Sequence, residues 1–327
     1  MNFRNATSQD IGACIDLVRA DGGFVAESAV WDALPQLWHT ALNEDALASF
    51  QVFEKAEDDG YKIVAFRLSA FFTEAFAASY EAAPHGQVAA EVWRRVLAGN
   101  SPMLDRASIA RENARGTLKL GVLHWATRQR DPLNPETLRV LSLVPGAWQA
   151  GHGGYRLEQI LFYEMFYTAA AKIMSNIGYR TRECTPRPGE AADAEPAYVF
   201  YWPKEDSALG LAALIPAIAT SKPIPRFRLT RTQQRLIIAA LEGFRDKDIA
   251  ESLGVRYDTV RQNWHDIYQR IDRVDAAMLP GEKSGDGRRG EEKRRVLIEY
   301  MRQHREELRP FDWGVFESLD MSSKVSG

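Results

Sequence analysis

The stretch Leu229–Ile271, LTRTQQRLIIAALEGFRDKDIAESLGVRYDTVRQNWHDIYQRI, carries three helical patterns separated by short turns. The first runs from about Thr232 to Leu241, with Leu236/Ala240 and Ile237/Leu241 at four-residue spacing. Thr230 followed by Gln233 reads as a capping box that opens it, and Gly243 as its C-terminal stop. The second pattern, about Asp246 to Leu253, turns Ile249, Ala250 and Leu253 inward, and Gly254-Val255 makes the next turn. The third, about Tyr257 to Ile271, places Val260, Trp264, Ile267 and Ile271 on one stripe and Asp258, Arg261, Gln262, His265 and Gln269 on the other.

A short helix, a glycine turn and a helix with a hydrogen-bonding outer face is the sequence form of a helix-turn-helix. Such a face suits a major groove, because Arg pairs with guanine and Gln with adenine through two bonds at once. Three helices of an ordinary bundle with a solvated face fit the periodicity equally well. The segment resembles the DNA-binding domain of LuxR-type transcriptional regulators without a gap, through Leu229-Thr230, Gly243, Lys247, Ile249-Ala250, Leu253-Gly254-Val255, Thr259-Val260, Arg261 and Ile267. The resemblance implies that Lys247 lies near the phosphate backbone and that Thr259, Arg261, Gln262 and His265 lie on phosphates or base edges. With Arg256 and Tyr257 these form the candidate DNA-binding set, Arg261, Gln262 and His265 for base edges and Lys247, Thr259 and Arg256 for phosphates. Departures are Arg256 at a usual Ser, which removes the usual N-cap, Gln233 at a common Glu, and the acidic Asp258 on the outer face.

A chain of 327 residues, 45% hydrophobic and 10% aromatic, is expected to form about two domains with real cores. No run approaches the roughly 18 apolar residues of a membrane span. The start MNFRNATSQD lacks a secretory pattern, so a cytoplasmic protein is expected. Cys14 and Cys184 have neither metal nor disulfide-framework spacing and read as core thiols. The net charge of −3 is uneven. Residues 222–275 hold 11 basic and 8 acidic residues (11 − 8 = +3), and residues 1–220 hold 20 and 26 (20 − 26 = −6). The modest excess sits on the segment proposed to meet phosphates and argues for a dimer or for help from another protein.

Ahead of that segment, a strand near Phe3 leads to helices at Thr7–Val18 and Ala26–Leu37. A hairpin follows, Ser49–Lys55 and Tyr61–Phe71 about Asp58-Asp59-Gly60, and then a helical stretch at Thr73–Leu97. Thr117–Trp125 and Leu138–Val144 read as strands, Tyr155–Ile177 as a long helix, and Tyr179–Cys184 and Tyr198–Trp202 as closing strands. This order resembles the GNAT acyltransferase fold, an α+β mixed sheet with helices. That family's Gln/Arg-x-x-Gly-x-Gly/Ala loop offers backbone N–H groups to the acyl-CoA pyrophosphate at a helix N-terminus. Here the loop reads Gln149-Ala-Gly151-His152-Gly153-Gly154, with His152 where the first Gly is needed. Gln149, Gly151, Gly153 and Gly154 are thus the cofactor-binding candidates of a degenerate loop, acetyl-CoA the one cofactor implied, and none is expected to be held.

Tyr163, Glu164 and Tyr167 have the chemistry of a proton donor and acceptor, but their aromatic-rich run reads better as a buried helix, and His124 beside Trp125 as a core histidine. No catalytic or metal set has a recognisable spacing. Ser207–Thr220 reads as an apolar helix and Ser221–Pro225 as an extended spacer. A last helix is expected at Glu291–Arg309, either folded back or used for dimerisation, with Lys293, Arg294 and Arg295 available for phosphates; Phe311, Trp313, Val315 and Phe316 are too apolar for a free tail.

The expected organisation is a GNAT-like sensory or partner-binding α+β domain at 1–203, a linker at 204–228, an all-α helix-turn-helix domain at 229–279, and a mobile linker with a C-terminal helix at 280–327. The expected function is a non-enzymatic, sequence-specific DNA-binding transcriptional regulator. Its expected partners are double-stranded promoter DNA, a second copy and RNA polymerase, with no membrane contact. The alternative is an acyl-CoA-dependent N-acetyltransferase carrying a DNA-binding appendage, which CoA binding would distinguish.

Overall fold

The computed structural model describes residues 1–58, 60–84, 86–129, 131, 133–165, 172, 175, 180–184, 198–202, 222–280 and 289–325. The chain divides into two compact units, Met1–Ser221 with Asp312–Gly327, and Lys222–Phe311.

The first unit is organised on a seven-stranded sheet in the order β1-β2-β3-β4-β5-β7-β6. The strands are β1 (Asn2–Asn5), β2 (Leu47–Glu57), β3 (Gly60–Phe71), β4 (Leu118–Thr127), β5 (Leu157–Met165), β6 (Arg180–Glu183) and β7 (Tyr198–Trp202). Every pairing is antiparallel except β4 with β5. Helices α1 (Ile11–Asp21), α2 (Ser28–Asn43), α3 (Glu74–Ala82) and α4 (Val88–Leu97) share one core with the sheet, centred on Trp38, Phe50, Phe66 and Trp93. Burial of each of these aromatics stabilises the fold by roughly 1.5–3 kcal/mol through the apolar surface removed from water. Helix α6 (Pro135–His152) covers the opposite face, packing Val140 and Ala147 on Phe53 and Ala65. Helix α5 (Arg106–Arg115) joins Trp148 over Leu118 and Leu120.

Local chemistry fixes the ends of these elements. Thr7 and Asp10 form a capping box before α1, and Arg4 binds the Asp10 carboxylate at 2.7 Å. Thr73 and Asp105 cap α3 and α5 through their side chains.

Two expectations are corrected here. Leu138–Val144 is helix, and Tyr155–Met165 contains strand β5. Asn134 caps a helix whose first residue is Pro135, a strong start that decides for helix in the apolar stretch after it. Because β4 and β5 are parallel, the chain must cross the sheet face between them, and α6 is that crossover. The aromatic and branched residues after Leu157 suit a strand. Tyr167 and the segment Ser207–Thr220 lie outside the described residues, and α5 is a helix that periodicity did not single out.

The last helix, α11 (Trp313–Val325), belongs to the first unit, where Asp312 N–H donates to the Ala110 carbonyl and Arg156 lies 5.5 Å over the Phe316 ring.

The second unit contains α7 (Arg231–Leu241), α8 (Asp246–Leu253), α9 (Tyr257–Val274) and α10 (Arg289–Gln303). Its core joins Leu236, Ile237, Ile249, Val260, Trp264, Ile267 and Ile271 to Leu297 and Met301 of α10. Gly254, at φ 65°, ends α8 in the left-handed conformation that only glycine adopts cheaply. Asp246 accepts from Trp264 Nε1 at 3.2 Å and from Arg294 Nη1 at 2.7 Å, while the Arg294 guanidinium lies 4.6 Å over the Trp264 ring. Arg294 therefore locks α8, α9 and α10 together, a role the expectation of a phosphate contact missed.

Candidate functional site

The β4–β5 ladder runs from Leu118↔Leu157 to Gly121↔Leu161 and stops, although β4 continues to Thr127 and β5 to Met165. Where it stops, β4 carries a bulge: Leu68 pairs with His124 and Ser69 with Val122, which leaves Leu123 as the extra residue. A bulge bends its strand and raises its twist, so β4 is turned where its pairing with β5 ends. Past Gly121 the two strands present backbone edges to each other without a shared ladder. Glycine is required at the apex because a Cβ on Gly121 would collide with the Phe72 ring. This wedge can accept an extended chain bearing amides, which would pair as an added strand.

His124 borders the wedge on β4 and is a core group. It is 2% exposed, its Nε2 accepts from Trp93 Nε1 at 2.9 Å, and burial pushes its pKa down to about 3. Neutral imidazole with Nε2 as acceptor holds its proton on Nδ1. Tyr163 and Glu164, read from sequence as helical, lie on β5.

The glycine-rich stretch is not a phosphate cradle. Gln149, Gly151 and His152 belong to the last turns of α6, and Gly153 and Gly154 follow it. A Cβ on Gly151 would stand 2.5 Å from Ser49 Oγ, and one on Gly153 would stand 2.5 Å from the Gln149 carbonyl. Close packing, rather than a ligand, accounts for these two glycines, so the candidate set Gln149, Gly151, Gly153 and Gly154 is corrected. The helix that does follow β4 starts at Asn134-Pro135 after Arg128-Gln-Arg-Asp-Pro-Leu133, a stretch without glycine. Asn134 already accepts the Glu136 N–H at 2.8 Å, and Glu136 puts a carboxylate in the first helical turn. Such a start disfavours an added phosphate.

In the second unit, Lys247 on α8, Arg256 before α9, and Tyr257, Thr259, Arg261, Gln262 and His265 on α9 lie on the solvent-facing side of their elements. Arg256 lies 3.9 Å from Asp258, Gln262 donates to Asp266 at 2.8 Å, and His265 pairs with Gln269 at 2.8 Å. Basic and acidic groups alternate on this face, so the local field is weak for a polyanion site. No side chain caps α9 at Arg256.

Among the described residues no group of three His, Cys, Asp or Glu side chains is placed to hold a metal ion. No helix of the described residues is long and apolar enough to cross a membrane. Cys14 and Cys184 are buried and form no disulfide, and burial raises the Cys14 pKa.

No protein-family model matches the chain, and no curated protein matches it. Solved structures similar to it include a point mutant of the spermidine N-acetyltransferase SpeG from Vibrio cholerae, 9% identical over 62% of this chain and 94% of that chain, with a TM-score of 0.36. Another is Chaetomium thermophilum Naa20 in complex with a bisubstrate analogue, 12% identical over 67% and 91%, TM-score 0.33. A third is the GNAT-like decarboxylase GphF in complex with isobutyryl-CoA, 12% identical over 62% and 98%, TM-score 0.33. The first unit has a GNAT-like mixed sheet with helices, as its own strand order displays. The expectation of a non-enzymatic, LuxR-type DNA-binding transcriptional regulator finds no support in these likenesses and is not carried further.

Proposed function

We propose that the first unit is an acyltransferase domain that takes its acyl donor as a pantetheine thioester in the wedge between β4 and β5. The observation that carries this reading is the ladder that ends at Gly121↔Leu161 while both strands continue. A pantetheine arm is extended and carries two amides, so it can pair with the free strand edges as an inserted strand would. When bound, the thioester supplies an electrophilic carbonyl for an amine. Around it, the chain's own contribution is orientation: the Leu123 bulge re-aims the β4 backbone, and the core behind it excludes water through Trp38, Trp93 and His124.

The wedge fits the pantetheine arm, and the helix start at Asn134-Pro135, with Glu136 in its first turn, disfavours a pyrophosphate. The donor is therefore held by its pantetheine arm, with little contribution from its nucleotide end. Calorimetric titration of the full chain with acetyl-CoA and with acetyl-pantetheine tests this. Saturable binding of both, at affinities within about tenfold, is expected, a span of about 1.4 kcal/mol. Failure of both compounds to bind removes the acyltransferase reading, and binding of acetyl-CoA alone removes the pantetheine-only anchor.

A further inference from the structure

Beneath the last turns of α6 lies a polar cluster that the acyl-donor reading does not use. Gln51 pairs with Arg67 and Ser49 with Ser69 across β2 and β3. All four side chains are buried, Arg67 at 2% exposure and Gln51 and Ser69 at 0%. Helix α6 closes over them with Trp148, whose ring lies 4.8 Å from the Arg67 guanidinium, and with His152, whose Nε2 is 2.7 Å from Ser69 Oγ.

Arg67 Nη2 donates to Gln51 Oε1 at 2.5 Å. Its Nε–H, the Gln51 amide nitrogen and the Ser49 hydroxyl are buried without a hydrogen-bond partner, and among the described residues no carboxylate pairs with Arg67. Burial pulls the Arg67 pKa down to about 9, which leaves it charged near neutral pH. A buried guanidinium without a counter-charge is strongly destabilising, and stacking on Trp148 offsets only part of that penalty. The missing Cβ of Gly151 marks the roof of the cluster: it would stand 2.5 Å from Ser49 Oγ and 3.2 Å from Gln51 Oε1.

We propose that this cluster binds a small oxyanion, of the size of formate or inorganic phosphate, through Arg67 Nε, the Gln51 amide nitrogen and Ser49 Oγ. An oxyanion supplies the acceptors that all three groups lack, and it offsets the guanidinium charge through a charge-assisted bond at Nε. Entry is by way of α6. Pro145 has no N–H for the Leu141 carbonyl, so the helix is weakest just before the segment 146–152 that forms the roof.

The test is calorimetric titration of the full chain with sodium formate and, separately, with inorganic phosphate at fixed ionic strength, alongside thermal melts. Saturable binding of at least one anion and a Tm that rises with its concentration are expected. In Arg67→Met the affinity is expected to fall about tenfold or more, with loss of the charge-assisted bonds, and the anion-dependent rise in Tm to disappear. In Gln51→Leu, which keeps the arginine, binding weakens several-fold, and this variant decides the matter if Arg67→Met does not fold. Absence of saturable binding by both anions, or an equal rise in Tm in wild type and variant, overturns the proposal. Acyl-donor binding is measured apart from it, and either result can stand without the other.

Discussion

Gly121 pairs with Leu161 as the last rung of the β4–β5 ladder, and the ring of Phe72 fills the space where a Gly121 side chain would stand. Gly121→Ala is expected to destabilise the protein by about 1–3 kcal/mol, the usual range for overpacking. Phe72→Leu in the same chain is expected to recover part of that loss, because it removes the obstructing ring edge. Urea denaturation of the single and double variants checks both statements; an additive result would mean that the ring is not the obstacle.

His124 gives the first unit a defined acid sensitivity. Its folded pKa of about 3 lies below the ordinary 6.5, so the neutral side chain's contribution to stability is present above 6.5 and is lost as pH falls toward 3. The slope is up to about 1.4 kcal/mol per pH unit within that window. His124→Phe is expected to flatten the window and to cost about 1–3 kcal/mol at neutral pH, since Trp93 Nε1 loses its acceptor. Denaturation midpoints followed by tryptophan emission across the window measure both; a slope that persists in the variant would assign it to other groups.

In the second unit, Asp246→Ala leaves Trp264 Nε1 and Arg294 without their shared acceptor. The Arg294–Asp246 pair is partly exposed, with side-chain accessibilities of 29% and 22%, so a loss of about 1 kcal/mol is expected. A double-mutant cycle with Arg294→Ala should give a coupling energy of about 0.5 kcal/mol or more. No coupling would mean that the ring contact with Trp264, and not the ion pair, holds α10.

Glu307 holds the start of the unit. Its carboxylate accepts from Arg226 N–H at 2.7 Å and Phe227 N–H at 3.0 Å, and burial raises its pKa above the ordinary 4.5. A raised folded pKa contributes stability below 4.5 that is lost as pH climbs through the folded value. Glu307→Gln points an amide donor at one of the two N–H groups, with an expected cost of about 1–3 kcal/mol and removal of that pH dependence. Hydrogen exchange at Arg226 and Phe227 reads it out locally, and unchanged exchange would place these amides outside the carboxylate's control.

Much of the secondary structure is legible locally. Thr230 with Gln233, Gly254 and the hairpin about Gly60 all act on near neighbours in the chain, so sequence specifies them. The 155–165 stretch resists such a reading for the opposite reason. Its apolar residues suit a helix or a strand, and β4, some forty residues away, makes the choice through parallel pairing. Pro145 and the glycines near it give α6 the local look of a loop, while its burial against β2 overrides their preference.

By itself the sequence determined where many of the helices start and stop, which residues face inward in the 229–271 segment, and that the first unit mixes strands with helices. Tertiary structure alone decided the wedge, the role of the 149–154 glycines, the lock at Asp246 and the buried Arg67 cluster. Each of these depends on groups brought together from distant parts of the chain. Caps and periodicity are energies between near neighbours, whereas an interrupted ladder or an unpaired buried charge exists only once distant segments have been packed together.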